Sequence, residues 1–274
     1  MNRLIIALLV FLPSVLLAQN FQGMAVYESK RSLKELKIES KDLNDDMMKK
    51  IMDGMKKQYE KTYILNFNKY ESVYQEEQKL ETPSSGFSMG FMSSSANEVT
   101  YKNIKNKVQL AEQEFLGKEF LVTDSLKVYN WELQSETKKI GDYTCYKAIS
   151  VDRVTQEDLD QYEAEKIKQD TANTAFFTIT EPKERIVTVW YTPEIPVSQG
   201  PGAFWGLPGL IMEASFDDTI ILCSKIVLNP TKKLKIKAPR KGKEVTKSQY
   251  DSLIEKQMEK MTNQNGVILI EIGQ

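Results

Sequence analysis

The chain has 274 residues, 37 of them basic and 38 acidic, and a formal net charge of −1 at pH 7. Apolar residues make up 41% of it, which is enough for one sizeable core and excludes a wholly disordered chain. The absence of histidine excludes histidine-based catalytic triads, histidine-ligated metal sites and imidazole general bases. The near-zero net charge predicts binding neither to nucleic acid nor to an anionic membrane surface.

The N-terminal residues 1–18 have the pattern of a secretory signal. Arg3 precedes an apolar stretch from Leu4 to Leu17, and Ala18 is a small residue suited to the cleavage site. We therefore expect cleavage near Ala18 and a periplasmic or secreted protein whose residues 19–274 form a single domain. The alternative is an uncleaved anchor, but the apolar stretch is shorter than the roughly 20 residues of a membrane span, and an integral membrane protein is not expected.

The chain has two cysteines, Cys145 and Cys223, and both lie in strand-like runs. In an oxidising compartment a single pair of cysteines suggests a disulfide bond. The alternative is two buried free thiols.

Strand patterns dominate the rest of the chain. Consecutive runs of β-branched and aromatic residues, separated by turn residues, predict an antiparallel meander rather than βαβ units. The predicted strands are Met24–Ser29, Thr62–Phe67, Tyr70–Gln75, Val99–Lys102, Lys107–Glu114, Glu119–Thr123, Tyr129–Gln134, Tyr143–Val151, Arg185–Tyr191, Leu210–Ser215, Ile220–Leu228 and Val267–Ile272.

Helical periodicity predicts three helices, Asp42–Lys61, Thr155–Gln169 and Lys247–Thr262. The second has a thin apolar stripe and is expected to be a solvated insertion. Together with the strands, these segments predict an α+β fold: one domain with a large, curved, half-barrel-like antiparallel sheet and a few helices against its concave face.

Methionine and phenylalanine gather in the N-terminal third, in the predicted helix Asp42–Lys61 and in the Ser/Gly-rich loop Pro83–Ala96. We expect these two segments to close over an apolar ligand. Met side chains at helical spacing are otherwise core residues, or thioether ligands for Cu(I). The candidate ligand-binding residues are Met48, Met52, Met55, Phe87 and Phe91.

Two short matches to catalytic motifs lack their necessary context. Gly86–Gly90 reads G-x-S-x-G without a histidine partner, and Ser135–Lys138 reads S-x-x-K without companion motifs. Hydrolysis without histidine would need a carboxylate pair, for which Glu194 and Glu213 are the first candidates. We predict no cofactor, no metal site and no catalytic residue.

The segment Trp190–Met212 contains a loop, Pro193–Gly209, with four of the nine prolines and four of the thirteen glycines. This segment resembles the GLPGLI family, which is named after the six residues found here at Gly206–Ile211. Three further stretches are also similar to that family, and they occur in the family's order. They are Trp131–Ala148, Cys223–Pro230 and Lys241–Thr246.

The resemblance implies an exported protein of Bacteroidota. The function of the family is not established, so the resemblance implies no catalytic residues. It places both cysteines in family motifs. We expect a non-enzymatic cell-envelope protein that binds an apolar ligand or a partner such as an outer-membrane receptor; the alternatives are a carboxylate-based hydrolase or a Met-rich copper-handling protein. The candidate binding residues in the Pro/Gly segment are Trp190, Phe204, Trp205 and Leu207, unless that segment is purely architectural.

Overall fold

The structure, a computed structural model, describes residues 21–32, 60–77, 99–172 and 181–261. Those residues form twelve strands and two helices. The strands are β1 (Gln22–Arg31), β2 (Lys61–Asn68), β3 (Glu71–Glu76), β4 (Val99–Asn103), β5 (Val108–Phe115), β6 (Lys118–Ser125), β7 (Glu132–Ile140), β8 (Tyr143–Asp152), β9 (Arg185–Thr192), β10 (Leu210–Phe216), β11 (Thr219–Leu228) and β12 (Lys243–Thr246). The helices are α1 (Gln156–Ala172) and α2 (Lys247–Met261).

All twelve strands belong to one sheet in the order β12-β6-β5-β4-β3-β2-β1-β11-β10-β9-β8-β7. Every neighbouring pair is antiparallel except β12 and β6, which are parallel. The prediction of an antiparallel sheet is therefore confirmed for eleven strands. The predicted α+β class is wrong, because the described chain is mostly β. In the described residues, side chains of the Pro/Gly loop join two of the sheet's apolar clusters.

Ten predicted strands are present with shifts of at most two residues at their ends, whereas the predicted strand Tyr129–Gln134 is observed as Glu132–Ile140, and β12 was not predicted. Only Val245 of its four residues is buried, so its sequence carries no alternating pattern. The predicted helices Thr155–Gln169 and Lys247–Thr262 correspond to α1 and α2. The predicted helix Asp42–Lys61, apart from its last two residues, and the predicted strand Val267–Ile272 lie outside the described residues, as does the loop Pro83–Ala96.

The sheet opens between β10 and β11, and the Pro/Gly loop enters the gap. β10 pairs with β11 only from Glu213 to Phe216, whereas β1 continues along the whole of β11. The amides of Leu210 and Ile211 donate instead to the carbonyl oxygens of Ile195 and Gln199, each at 3.0 Å. The loop therefore takes the place of a neighbouring strand along the first residues of β10.

Two apolar clusters meet at this loop. One contains side chains from β1, β2, β3, β8, β10 and β11 together with the loop residues Ile195 and Val197. The other contains residues of β8, β9 and β10 with the loop residues Phe204 and Leu207. The loop thus contributes to the core on both sides of β10.

A third cluster attaches α2 to the end of the sheet. Tyr250 packs edge-on against Phe120 of β6, with ring centroids 5.3 Å apart, and Val245 of β12 lies beside them. Of the two described helices, neither is long and apolar enough to cross a membrane.

Candidate functional site

The loop Pro193–Gly209 is held in the sheet by a buried lysine. Lys102 of β4 has no exposed surface, and its amine donates to the carbonyl oxygens of Gly200 and Phe204 at 2.8 and 2.7 Å. Within the described ranges no carboxylate pairs with it. Burial lowers the pKa of Lys102 to about 7. A neutral amine has two N–H donors, and these two carbonyls accept both.

Two further contacts tie the loop to neighbouring strands. The hydroxyl of Ser72 in β3, which faces Lys102 across the ladder, donates to Gln199 Oε1 at 2.8 Å. The hydroxyl of Tyr27 in β1 donates to the carbonyl of Ile211 at 2.8 Å. A flat sheet would place β4 and β10 about 24 Å apart, or five strand spacings. The contacts of Lys102 therefore require the sheet to curl toward the loop.

Glycines allow the loop to approach β9 and β10 closely. A Cβ added to Gly200 would lie 2.9 Å from Ile211 Cβ, and one added to Gly209 would lie 2.2 Å from the Thr192 carbonyl oxygen. Gly206 has a φ of +100°, which favours glycine. The sequence Gly206–Ile211 therefore contains one position that needs glycine for its backbone angle and one that needs glycine because a side chain would collide with a neighbouring strand.

The loop buries two of its predicted binding residues and leaves one at the surface. Phe204 and Leu207 are 7% and 2% exposed and belong to the core, so they are not surface anchors in this structure. Trp205 between them is half-buried, and its indole N–H donates to the Lys127 carbonyl oxygen at 2.7 Å. Trp190 is also half-buried, and the Lys138 amine lies 4.4 Å from its ring centroid.

Trp131 fixes the position of Trp205. Its indole N–H donates to the Trp205 carbonyl oxygen at 2.8 Å, and its ring stacks on Tyr129 with centroids 4.9 Å apart. Val128 and Leu133 flank this aromatic group along the chain and are 73% and 60% exposed. We call Val128, Trp131, Leu133 and Trp205 the tryptophan surface. It lies beside β7, which is the edge strand at this end of the sheet.

The two carboxylates considered for hydrolysis have other partners. Both oxygens of Glu213 accept from the Lys138 amine, at 2.8 and 2.7 Å. Glu194 accepts from the backbone amide of Thr144 at 2.8 Å. Each makes a structural contact, and the carboxylate-based hydrolase stays a prediction that these contacts do not test.

Cys145 and Cys223 are buried free thiols in the structure, so the predicted disulfide is absent from it. Both side chains belong to the same apolar cluster. Burial raises the pKa of Cys145 to about 11 and that of Cys223 to about 12, and the nearby Cys145 contributes to the second shift. Neither thiol is ionised at neutral pH, so neither is an activated nucleophile.

The remaining candidates cannot be placed. Met48, Met52, Met55, Phe87 and Phe91 lie outside the described residues, so the proposed apolar site and the Cu(I) alternative stay predictions. In the described part of the chain, no three Cys, Asp or Glu side chains come together in a way that could hold a metal ion.

Sequence reasoning missed Lys102 and the role of Trp131. In Val-Thr-Tyr-Lys-Asn, β4 gives no sign that its lysine points inward, since both faces of this strand are buried. Trp131 was noted only as part of a family motif. Trp131 lies far from the Pro/Gly loop in sequence, and the one signal that could have drawn attention to it is that the chain has three tryptophans.

Comparison with known proteins gives one family match. A family described as "Protein of unknown function (Porph_ging)" matches residues 131–213, which run from Trp131 through the Pro/Gly loop to Glu213. The chain is therefore similar to a family of unknown function over its most distinctive segment. No curated protein matches it.

Two solved structures of PNGF-II, in space groups C2 and P21, are similar to this chain. Each is 16% identical, with a TM-score of 0.47; they cover 87% and 86% of this chain and 33% and 34% of their own. The chain thus spans about a third of the length of PNGF-II. A TM-score this low carries no argument about fold or function.

The lysine pKa predicts how stability changes with pH. In the unfolded chain Lys102 has its ordinary pKa of 10.5, so above pH 7 the unfolded state binds more protons than the folded state. The free energy of unfolding should therefore rise with pH. Between pH 7 and 8, below the ordinary cysteine pKa, we expect urea titrations to show a rise of at most about 1.4 kcal/mol per pH unit. Lys102→Met should lack this rise, and the exposed Lys118→Met should keep it. Equal slopes in all three proteins would contradict a neutral Lys102.

The two glycine environments predict different costs for the same substitution. Gly209→Ala places a methyl group against a backbone carbonyl that cannot rotate away, and we expect a loss of about 3 kcal/mol in the free energy of unfolding. Gly141→Ala meets no atom within 4 Å, although its φ is +57°, and should cost about 1 kcal/mol. The cost at Gly209 arises from contact with Thr192, not from a positive φ. Chemical denaturation measures both; equal losses would refute the close-contact explanation.

Proposed function

We propose that the protein is an exported, non-enzymatic cell-envelope protein of the GLPGLI type, and that it binds an envelope partner protein through the tryptophan surface. The observation that carries this proposal is the exposure of Val128 and Leu133 on either side of the half-buried Trp131 and Trp205. Tryptophan is enriched among residues that dominate binding energy at protein interfaces. Exposed aliphatic side chains beside it supply apolar contact area.

The packing of the Pro/Gly loop favours a partner protein over an apolar ligand held inside the sheet. Ile195, Val197, Phe204 and Leu207 occupy the two core clusters that such a ligand would enter. The same buried residues hold Trp205 in place through the main chain on both sides of it. The buried part of the loop therefore has a structural role. Its Trp205 side chain is held in a fixed position at the surface, and this preorganisation lowers the entropic cost of binding a partner.

Export supports the choice of an envelope partner. The stretch from Arg3 to Ala18 is typical of a secretory signal, and an outer-membrane receptor is one class of partner that an exported protein would meet. Contacts at the tryptophan surface would leave the structural pairs Lys138–Glu213 and Glu194–Thr144 undisturbed. No catalytic step is part of the proposal.

Site-specific photo-crosslinking in the native cell envelope tests this function. We expect a photoreactive phenylalanine analogue at Val128 or Leu133 to give a discrete protein adduct. The same analogue at Leu253, which is 42% exposed on α2, should give none. Val128→Asp alters only an exposed side chain, so the free energy of unfolding should change by less than about 0.5 kcal/mol. The Leu133 adduct should nevertheless disappear in this variant.

Two results would overturn the partner proposal. One is the same adducts from Leu253 as from Val128, which would indicate nonspecific proximity. The other is an undiminished Leu133 adduct in Val128→Asp, which would place the partner elsewhere.

Export would also expose the two buried thiols to oxidation during folding, and we include a Cys145–Cys223 disulfide in the proposal. The support is their shared cluster and the effect of one thiol on the pKa of the other. Protein isolated from the envelope, then denatured without reductant, should give no reaction with a thiol reagent. Protein made in a reducing cytoplasm should react at both cysteines. Two free thiols in the envelope sample would remove the disulfide from the proposal.

A further inference from the structure

The connection between β11 and β12 is strongly basic. Residues 229–243, which we call the basic segment, contain seven lysine or arginine residues and no acidic residue, in a chain whose net charge is −1. The basic residues are Lys232, Lys233, Lys235, Lys237, Arg240, Lys241 and Lys243. The whole-chain charge, which predicts no attraction to anionic surfaces, conceals this local excess.

The basic segment is anchored to the sheet near both of its ends. Near its start, the amides of Asn229 and Leu234 donate to the backbone and side-chain oxygens of Gln22, at 2.8 and 2.9 Å. Near its end, the amide of Lys241 donates to Glu112 Oε1 at 3.1 Å. The two anchors lie on β1 and β5, which are four positions apart in the strand order, so the charges are spread between two separate strands and are not gathered at one pocket.

Burial alternates along the middle of the basic segment. Leu234 and Ile236 are half-buried, whereas Lys233, Lys235 and Lys237 are exposed. This alternation is that of an extended chain, in which successive side chains point in opposite directions and residues two apart lie on one face at a spacing of about 7 Å. The two apolar residues therefore hold the segment on the protein, and the three lysines form a row that faces solvent.

The described residues leave most of this charge without an ion-pair partner. The Lys241 amine pairs with Glu119 at 2.5 Å, and this contact raises the pKa of Lys241. For Lys232, Lys233, Lys235 and Lys237, the described ranges supply no ion-pair partner. Four ammonium groups on an anchored segment are thus available to an external anion.

We propose that the basic segment binds the surface of a membrane that carries anionic phospholipid headgroups. A row of lysines spread over the protein suits a surface with many phosphates, because lysine acts as a flexible point charge and needs no fixed acceptor geometry. The segment has no aromatic residue on which a nucleic-acid base could stack. It has one arginine, whereas specific recognition of phosphorylated motifs uses arginine clusters. The membrane interaction is peripheral and separate from the tryptophan surface.

Vesicle co-sedimentation tests the proposal. The chain beginning at Gln19 is used, so that the apolar N-terminus cannot drive binding. We expect it to bind vesicles of phosphatidylcholine mixed with phosphatidylglycerol, to release them at high salt, and not to bind phosphatidylcholine alone. Each lysine close to an anionic surface strengthens vesicle binding about fivefold. The triple variant Lys233→Gln, Lys235→Gln, Lys237→Gln should therefore bind the mixed vesicles about 100-fold more weakly than the unaltered protein.

A second triple variant controls for net charge. Lys139→Gln, Lys166→Gln, Lys183→Gln removes the same number of exposed charges from β7, α1 and the residues before β9, and should change vesicle affinity by less than about threefold. Equal losses in the two triple variants would overturn the proposal, since whole-chain charge would then explain binding. Equal binding to both vesicle types would also overturn it. So would preferential binding of polyglutamate or an oligonucleotide over the anionic vesicles, which would assign the segment to another polyanion.

Discussion

Burying an irregular loop requires a partner for each of its backbone polar groups, and the described fold meets this requirement around Lys102. A strand satisfies its carbonyls and amides through its neighbours, whereas a loop inside a sheet has no such ladder. Here the amine of Lys102 supplies donors for Gly200 and Phe204, and carbonyls of the loop accept from the amides of β10. Without these contacts the loop could not fill the gap between β10 and β11, and the apolar residues it carries would lose their place in both core clusters.

This dependence gives physical meaning to the sequence Gly-Leu-Pro-Gly-Leu-Ile. Gly206 adopts a positive φ, Gly209 passes against the Thr192 carbonyl, and the side chains of Leu207, Leu210 and Ile211 are buried. A glycine–leucine pattern of this kind needs no catalytic role to explain it. The chemically distinctive residue is Trp205, just before the signature, because its neighbours are fixed inside the sheet while its own ring reaches the surface.

Sequence patterns predicted the strands well because period-two alternation survives wherever one face of a strand is buried. They failed where burial does not alternate. β4 is covered on both faces, so Lys102 looked like any strand lysine, and β12 buries only Val245. The fold class was wrong because the helical patterns were given too much weight beside the strands, and in the described residues the Pro/Gly loop packs into the two core clusters. Tertiary hydrogen bonds, which no sequence pattern reports, decide that this loop lies in the core.

The net charge of the chain also says little about where its charged residues lie. Electrostatic attraction acts within roughly 10 Å at moderate ionic strength, so a surface responds to the charges near it and not to the total for the chain. The basic segment runs from the start of β1 to the β5–β6 region, whereas the tryptophan surface lies at the β7 edge of the sheet. One is an extended row of flexible charges and the other a fixed aromatic group. Because they use different strands and different forces, either proposal can fail while the other stands.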